Sequence, residues 1–255
     1  IGSPKLSKGR MRKQKYVDSL IDGVVSKTPE RIDRLTDKEK ERFGPIIDLS
    51  QALGKLPLSL GNTADILPEY NKAVDEIVTS VQAAREFVLI EYFILALDET
   101  TQPLFDAIEA AVGRGVKVRV LFDAIGYRRY PNKQKMKQEL TRIGAEWHVM
   151  LPLRLGKHYN RPDLRNHRKI VVVDDRVAFL GSQNMIKRNY HRKDDVYYDE
   201  LVVRLTGPIV RQCSTLFVGD WYSETGKQLR SIADPLRRSL PLATGTVKAQ
   251  VIPSG

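Results

Sequence analysis

A single cysteine among 255 residues rules out a disulfide within the chain and points to a reducing, cytoplasmic-side compartment. The four histidines, His148, His158, His167 and His191, stand at no spacing used by zinc sites. No run of eighteen or more apolar residues occurs, so no transmembrane helix is expected in these residues, and the N-terminal residues lack the pattern of a secretory signal. Acidic residues are scarce in two places. None precedes Asp18, although Lys5, Lys8, Arg10, Arg12, Lys13 and Lys15 are crowded there. Only Asp163 opposes the cluster Arg154, Lys157, Arg161, Arg165, Arg168 and Lys169. The net charge of +11 then calls for an anionic partner, either a lipid surface or a nucleic acid.

What is present is concentrated in one eighteen-residue window, His167 to Asn184, which reads H-x-K-x4-D-x6-G-S-x-N. Six specified positions at these spacings arise by chance about once in ten million windows or fewer. Ile170 to Val173 and Val177 to Leu180 are apolar and β-branched, and Asp174-Asp175-Arg176 between them is turn-like, which predicts a hairpin. Residues two apart on a strand share a face, so His167 projects with Lys169. Ser182 and Asn184 repeat that spacing beyond the second strand. The hairpin would gather both pairs around a pocket the size of a phosphate.

These residue types suit attack on a phosphodiester. Neutral imidazole is a nucleophile near pH 7, and a carboxylate can hold its tautomer. Lys169 offers a cation to phosphate oxygens, with Ser182 and Asn184 as neutral donors. The design calls for no metal and no cofactor. Asp174, though part of the motif, sits at the turn and is expected to anchor the hairpin. Glu91, flanked by Ile90 and Tyr92, is a carboxylate in a buried strand and needs a partner. Cys213 is expected as a small core residue.

The window resembles the signature of the phospholipase D superfamily. Asp163 to Lys169, Gly181 to Met185, Leu205-Thr206-Gly207-Pro208, Asp220-Trp221, Thr225-Gly226, Glu91 to Ile94, Arg114 to Val118 and Asp123 to Gly126 are further similar to bacterial cardiolipin synthases, over roughly residues 58 to 255. The resemblance implies phosphatidyl transfer between two phosphatidylglycerol molecules, giving cardiolipin and glycerol through a phosphatidyl-histidine. It implies catalytic roles for His167, Lys169, Asp174 and Glu200, and phosphate binding by Lys169, Ser182 and Asn184. His167 would be either the nucleophile or the acid and base. Glu200, seven positions before Gly207, stands where the family places a carboxylate that orients a histidine; aspartate is common there. The implied partners are anionic phospholipid and the cytoplasmic face of a bacterial membrane. A phospholipase D-type hydrolase, or a nuclease built from two single-motif copies, is the other reading the superfamily offers.

No second H-x-K-x4-D occurs in the 255 residues, the chain begins with Ile, and it stops at Val251-Ile252-Pro253-Ser254-Gly255. The expectation is the first catalytic half of a longer protein; the alternative is a complete subunit that pairs with a second copy. Residues 1–57 are expected as a basic helical, juxtamembrane arm and 58–255 as the catalytic half. The fold expected is α/β, a mixed sheet with helices on both faces. Its helices are predicted at 30–43 (capped by Thr28-Pro29 and broken at Gly44-Pro45), 68–84, 104–112, 133–143 and 208–222. Strands are predicted at 87–97, 116–122, 145–150, the hairpin and 200–205.

Overall fold

The computed structural model describes residues 8–26, 35–130, 132–152, 165–190, 198–230, 232, 242–243 and 245–253. Thr28-Pro29, the basic residues Lys5, Arg154, Lys157 and Arg161, Asp163, His158 and His191 lie outside the described residues. The chain divides into two compact units, 1–62 with 207–254, and 63–206.

The larger unit is a mixed sheet. Its strands are β1 (Ser59–Leu67, entering from the smaller unit), β2 (Phe87–Tyr92), β3 (Lys117–Asp123), β4 (Glu146–Met150), β5 (Lys169–Val173), β6 (Val177–Gly181) and β7 (Val202–Thr206), in the order β4-β3-β2-β5-β6-β7-β1. β2, β3 and β4 are parallel, and the predicted hairpin of β5 and β6 makes the remainder antiparallel. Numbering the helices by their place in the chain, α3 (Tyr70–Gln82), α4 (Gln102–Gly113) and α5 (Lys133–Arg142) follow the predicted spans closely. The predicted stripe Ala73, Val74, Ile77, Val78 and Val81 on α3 packs in one core with Val88, Ile90 and Tyr92 of β2 and Val171 and Val173 of β5. The alternate residues Leu89, Ile170, Val172 and Ala178 are buried as well, which explains why these strands read as continuous apolar runs.

Two expectations are corrected here. The strand from Phe87 ends at Tyr92, not at Leu97, because Ile94 to Ala96 leave the sheet and pair with the segment after β6. Ile94 donates its N–H to the Asn184 side chain at 3.1 Å, and the Met185 backbone donates to the Ile94 carbonyl and accepts from the Ala96 N–H. Strand β1 is not predicted by local propensity, since Gly61, Asn62 and Asp65 are poor strand formers; its second half is held by register with β7, Thr63 to Leu67 against Thr206 to Val202.

The smaller unit holds α1 (Lys8–Val25), α2 (Asp37–Gly54), α6 (Ile209–Thr225) and β8 (Val247–Ala249), the last paired with the first residues of β1. The break predicted at Gly44-Pro45 is absent: α2 runs through Pro45 to Gly54. Thr36 and Glu39 close a capping box at its start. Pro45 lies on the exposed side, where water can serve the Glu41 carbonyl that loses its partner, while Ile47 anchors the buried side against Leu35, Leu58 and Leu60. Asn62 is wholly buried and ties three elements: its amide donates to Ser59 and to the Val247 carbonyl, and its oxygen accepts from the Ile209 N–H at the start of α6. Gly207 (φ 92°) lies so close that a Cβ there would stand 2.7 Å from the Gly61 carbonyl oxygen. Cys213 is buried on α6, a small core residue as expected.

Candidate active site

Register decides what meets at the end of the sheet. β2 and β3 are parallel and β5 runs against β2, so the end of β2 and the start of β5 coincide, with Tyr92 opposite Lys169. The end of β6 and the start of β7 coincide in turn, with Gly181 opposite Val202. His167, Lys169, Ser182, Asn184 and Glu200, well separated in sequence, therefore gather at one rim together with Phe93 and Tyr190.

His167 is exposed, one ring face stacked on Phe93 with centroids 3.9 Å apart. Partial burial against that ring, and then the Lys169 charge, draw its pKa below the usual 6.5, against the pull of Asp123. The imidazole is therefore neutral at pH 7. Lys169 is half-buried; its ammonium donates to the His167 carbonyl at 2.7 Å and lies 5.5 Å from the Phe93 ring centre. Burial lowers its pKa, offset in part by the charge of Glu200.

Glu200 is half-buried, and burial raises its pKa above 4.5 despite a 2.9 Å hydrogen bond from the Tyr190 hydroxyl. Tyr190 is the residue that sequence reasoning missed. Its hydroxyl accepts from the Asn184 amide at 2.7 Å and donates to Glu200, and burial pushes its own pKa up. No spacing rule flagged a tyrosine six positions past the asparagine.

Asn184 is bonded through both ends of its side-chain amide. Its oxygen takes the Ile94 N–H and its amide reaches Tyr190, so it braces the rim. Ser182 is exposed; its oxygen accepts the Leu201 N–H at 2.9 Å, which leaves the hydroxyl proton to donate outward. Gly181 admits no side chain, since a Cβ would fall 1.9 Å from the Leu201 carbonyl oxygen. Glu91 does not line this rim. It is buried on the opposite face of β2, beside Ile170 and Leu121. Among the described residues no group of three or more His, Cys, Asp or Glu is placed to hold a metal.

Asp174 stands apart from the rim, in the anchoring position its turn suggested. It lies at the other end of β5, at φ 52°, and its carboxylate accepts the N–H groups of Arg85, Glu86 and Phe87 at 2.7–2.8 Å. Three charge-assisted bonds at the entry of β2 contribute to stability. Asp174→Ala is expected to cost about 3 kcal/mol in chemical denaturation and to leave kcat unchanged at temperatures where the variant is folded. A kcat loss in the folded variant would return Asp174 to the chemistry.

The family described as cardiolipin synthase, PLD-like domain, matches residues 77–221, more than half of the chain. A cardiolipin synthase of Geobacillus kaustophilus (strain HTA426) is 28% identical over 246 residues, covering 96% of this chain and 48% of that protein. One from Geobacillus sp. (strain WCH70) is 32% identical over 200 residues, 78% of this chain and 39% of that one. The chain thus spans less than half the length of these curated relatives. Among solved structures, the phospholipase D family member Nuc from Salmonella typhimurium aligns with 66% of this chain and 96% of its own, at 16% identity and a TM-score of 0.49.

Proposed function

We propose phosphatidyl transfer as the reaction of this chain, which belongs to the family of cardiolipin synthase, PLD-like domains. The observation that carries the proposal is the rim itself: an imidazole biased to its neutral form, a half-buried ammonium tethered to the His167 carbonyl, and a half-buried carboxylate held by an asparagine–tyrosine brace. A phosphodiester needs these three groups, one to attack or pass a proton, one to meet the phosphate charge and one to orient.

In the proposed sequence one histidine nitrogen attacks the phosphorus of phosphatidylglycerol, and a second histidine gives its proton to the departing glycerol oxygen as the P–O bond breaks. A phosphatidyl-histidine remains. The terminal hydroxyl of a second phosphatidylglycerol then attacks phosphorus, returns a proton to the second histidine and displaces the first. His167 supplies one of the two. The other belongs to a second motif, in a longer form of the same chain or in a second copy. Lys169, the Ser182 hydroxyl and Asn184 bind the phosphate oxygens, and Glu200 acts on Lys169 by charge and orients a histidine. Residues 58–255 constitute this catalytic half, and the basic residues among 1–57 face an anionic bilayer on the cytoplasmic side of a bacterial membrane. Among the described residues no helix is long and apolar enough to cross a membrane.

The test uses the complete gene product. Incubated with labelled phosphatidylglycerol in mixed micelles and followed by mass spectrometry, it is expected to yield cardiolipin and free glycerol together. Phosphatidic acid in place of cardiolipin would make water the acceptor. No lipid turnover by well-folded protein, with cleavage of DNA, would replace the reading by the nuclease.

A further inference from the structure

We propose that Glu91, on the face of β2 opposite to Tyr92, is a positioning residue for the reaction: through Asn166 it fixes the backbone that carries His167. This rests on the reading of His167 as a reacting group.

A carboxylate that is 0% exposed within Val88-Leu89-Ile90-Glu91-Tyr92, opposite Leu121 and Ile170, is not there to build a core. An apolar side chain would pack at that point without the cost of removing a polar group from water. The contact it makes is specific. The Asn166 amide donates to Glu91 Oε1 at 2.6 Å, and the Asn166 oxygen accepts the Arg168 N–H at 3.0 Å. One side chain therefore brackets His167, bonding to the sheet before it and to the backbone after it. Lys169 then enters register opposite Tyr92, next to Glu91 along the strand.

The neighbouring strand repeats the device. Asp123 at the end of β3 is also 0% exposed, and Arg165 reaches it at 3.3 Å while donating to the Leu151 carbonyl at 2.7 Å. Arg165 and Asn166, the two residues preceding His167, are thus each tied to a buried carboxylate on the Glu91 face of the sheet. The His167 ring is itself exposed and rests on Phe93, so its placement depends on the backbone beneath it. A shift near 1 Å in such a group costs about 100-fold in rate.

Exchange of donor and acceptor separates positioning from stability. Asn166→Asp keeps shape and the bond from the Arg168 N–H but sets carboxylate against carboxylate. In the full-length enzyme at pH 8, kcat is expected to fall about 30-fold with KM little changed. The double variant Glu91→Gln with Asn166→Asp restores the bond with its direction reversed, the new amide at position 91 donating to the new carboxylate at position 166. Its kcat is expected to return to within about 3-fold of wild type. The His167 ring signals in 1H–13C spectra should shift in the single variant and return in the double.

Full activity in folded Asn166→Asp overturns the proposal, as does a double variant that stays inactive, folded or not. If Asn166→Asp does not fold, the double variant alone decides, on the same criterion. Measuring both phosphatidylglycerol and bis(p-nitrophenyl) phosphate keeps two failures apart. A wild type inert toward the lipid but active on the simple diester sinks the lipid reading and leaves this test intact.

Discussion

His167→Ala in the full-length enzyme is expected to reduce phosphatidyl transfer by about 10⁴-fold or more, the scale on which loss of a nucleophile or its proton partner is felt. Folding should survive, because the ring is exposed and rests on the rim through its stacking contact with Phe93; the melting temperature should move by no more than a few degrees, about what a sub-kilocalorie change produces. The pH profile supplies a second reading of the same group. Partial burial and Lys169 depress the imidazole pKa below 6.5, so in the role of nucleophile its reactive neutral form persists as pH falls through that value. Burial of Glu200 moves its pKa the other way, up from 4.5. With His167 as nucleophile, the acid limb of kcat/KM should therefore lie below pH 6.5. The sign for stability agrees: a histidine whose folded pKa is depressed contributes stability that is complete above 6.5 and is lost as pH falls through the folded value. Retention of most activity by His167→Ala would remove this imidazole from the reaction, and an acid limb at pH 7 or above would assign the nucleophile to the other histidine.

Lys169→Ala is expected to lose about 10²- to 10³-fold in kcat/KM, as when a donor to a developing phosphate charge is removed. Its ammonium is half-buried, tethered to the His167 carbonyl at 2.7 Å and set within the field of Glu200. Removing it should also raise the His167 pKa, since the Lys169 charge is one of the two influences that lower it. The acid limb should then move to higher pH. Lys169→Arg is not expected to restore activity, because a planar fork cannot take the place of a point charge held on the stem beside Phe93. A Lys169→Ala variant that loses stability alone, with normal kcat/KM and an unmoved acid limb, would assign the residue to packing.

The elements that were legible in the sequence share a physical character. Helix α3 shows its buried stripe at 3.6-residue spacing, and β2, β3, β5 and β6 are runs of apolar residues buried on both sides. The stop of α4 at Gly113 is local chemistry and was readable as such. So was the turn at Asp174-Asp175, where both residues take a positive φ that aspartate tolerates. What failed locally was decided elsewhere. Gly44-Pro45 is a breaker by propensity, yet α2 continues, since its capping box and the burial of Ile47 outweigh one lost hydrogen bond on an exposed side. The first half of β1 is strand only because Asn62 and β8 hold it there.

The motif's spacing determined that His167 and Lys169 would share a face and that Ser182 and Asn184 would follow a hairpin, because strand periodicity and turn chemistry are local. Superfamily membership was legible for the same reason, six residues at set intervals in one window. Which residues surround that pair was not local. Strand order β3-β2-β5-β6-β7 sets Tyr92, Gly181 and Val202 level with Lys169, and so delivers Phe93, Tyr190 and Glu200 from distant segments. It also turns Asn184 toward Ile94 and Tyr190, and gives Glu91 the reverse face and Asn166 as partner. Residue types and intervals carry the chemistry of the site; register between strands far apart in the chain decides which of those groups can reach one another.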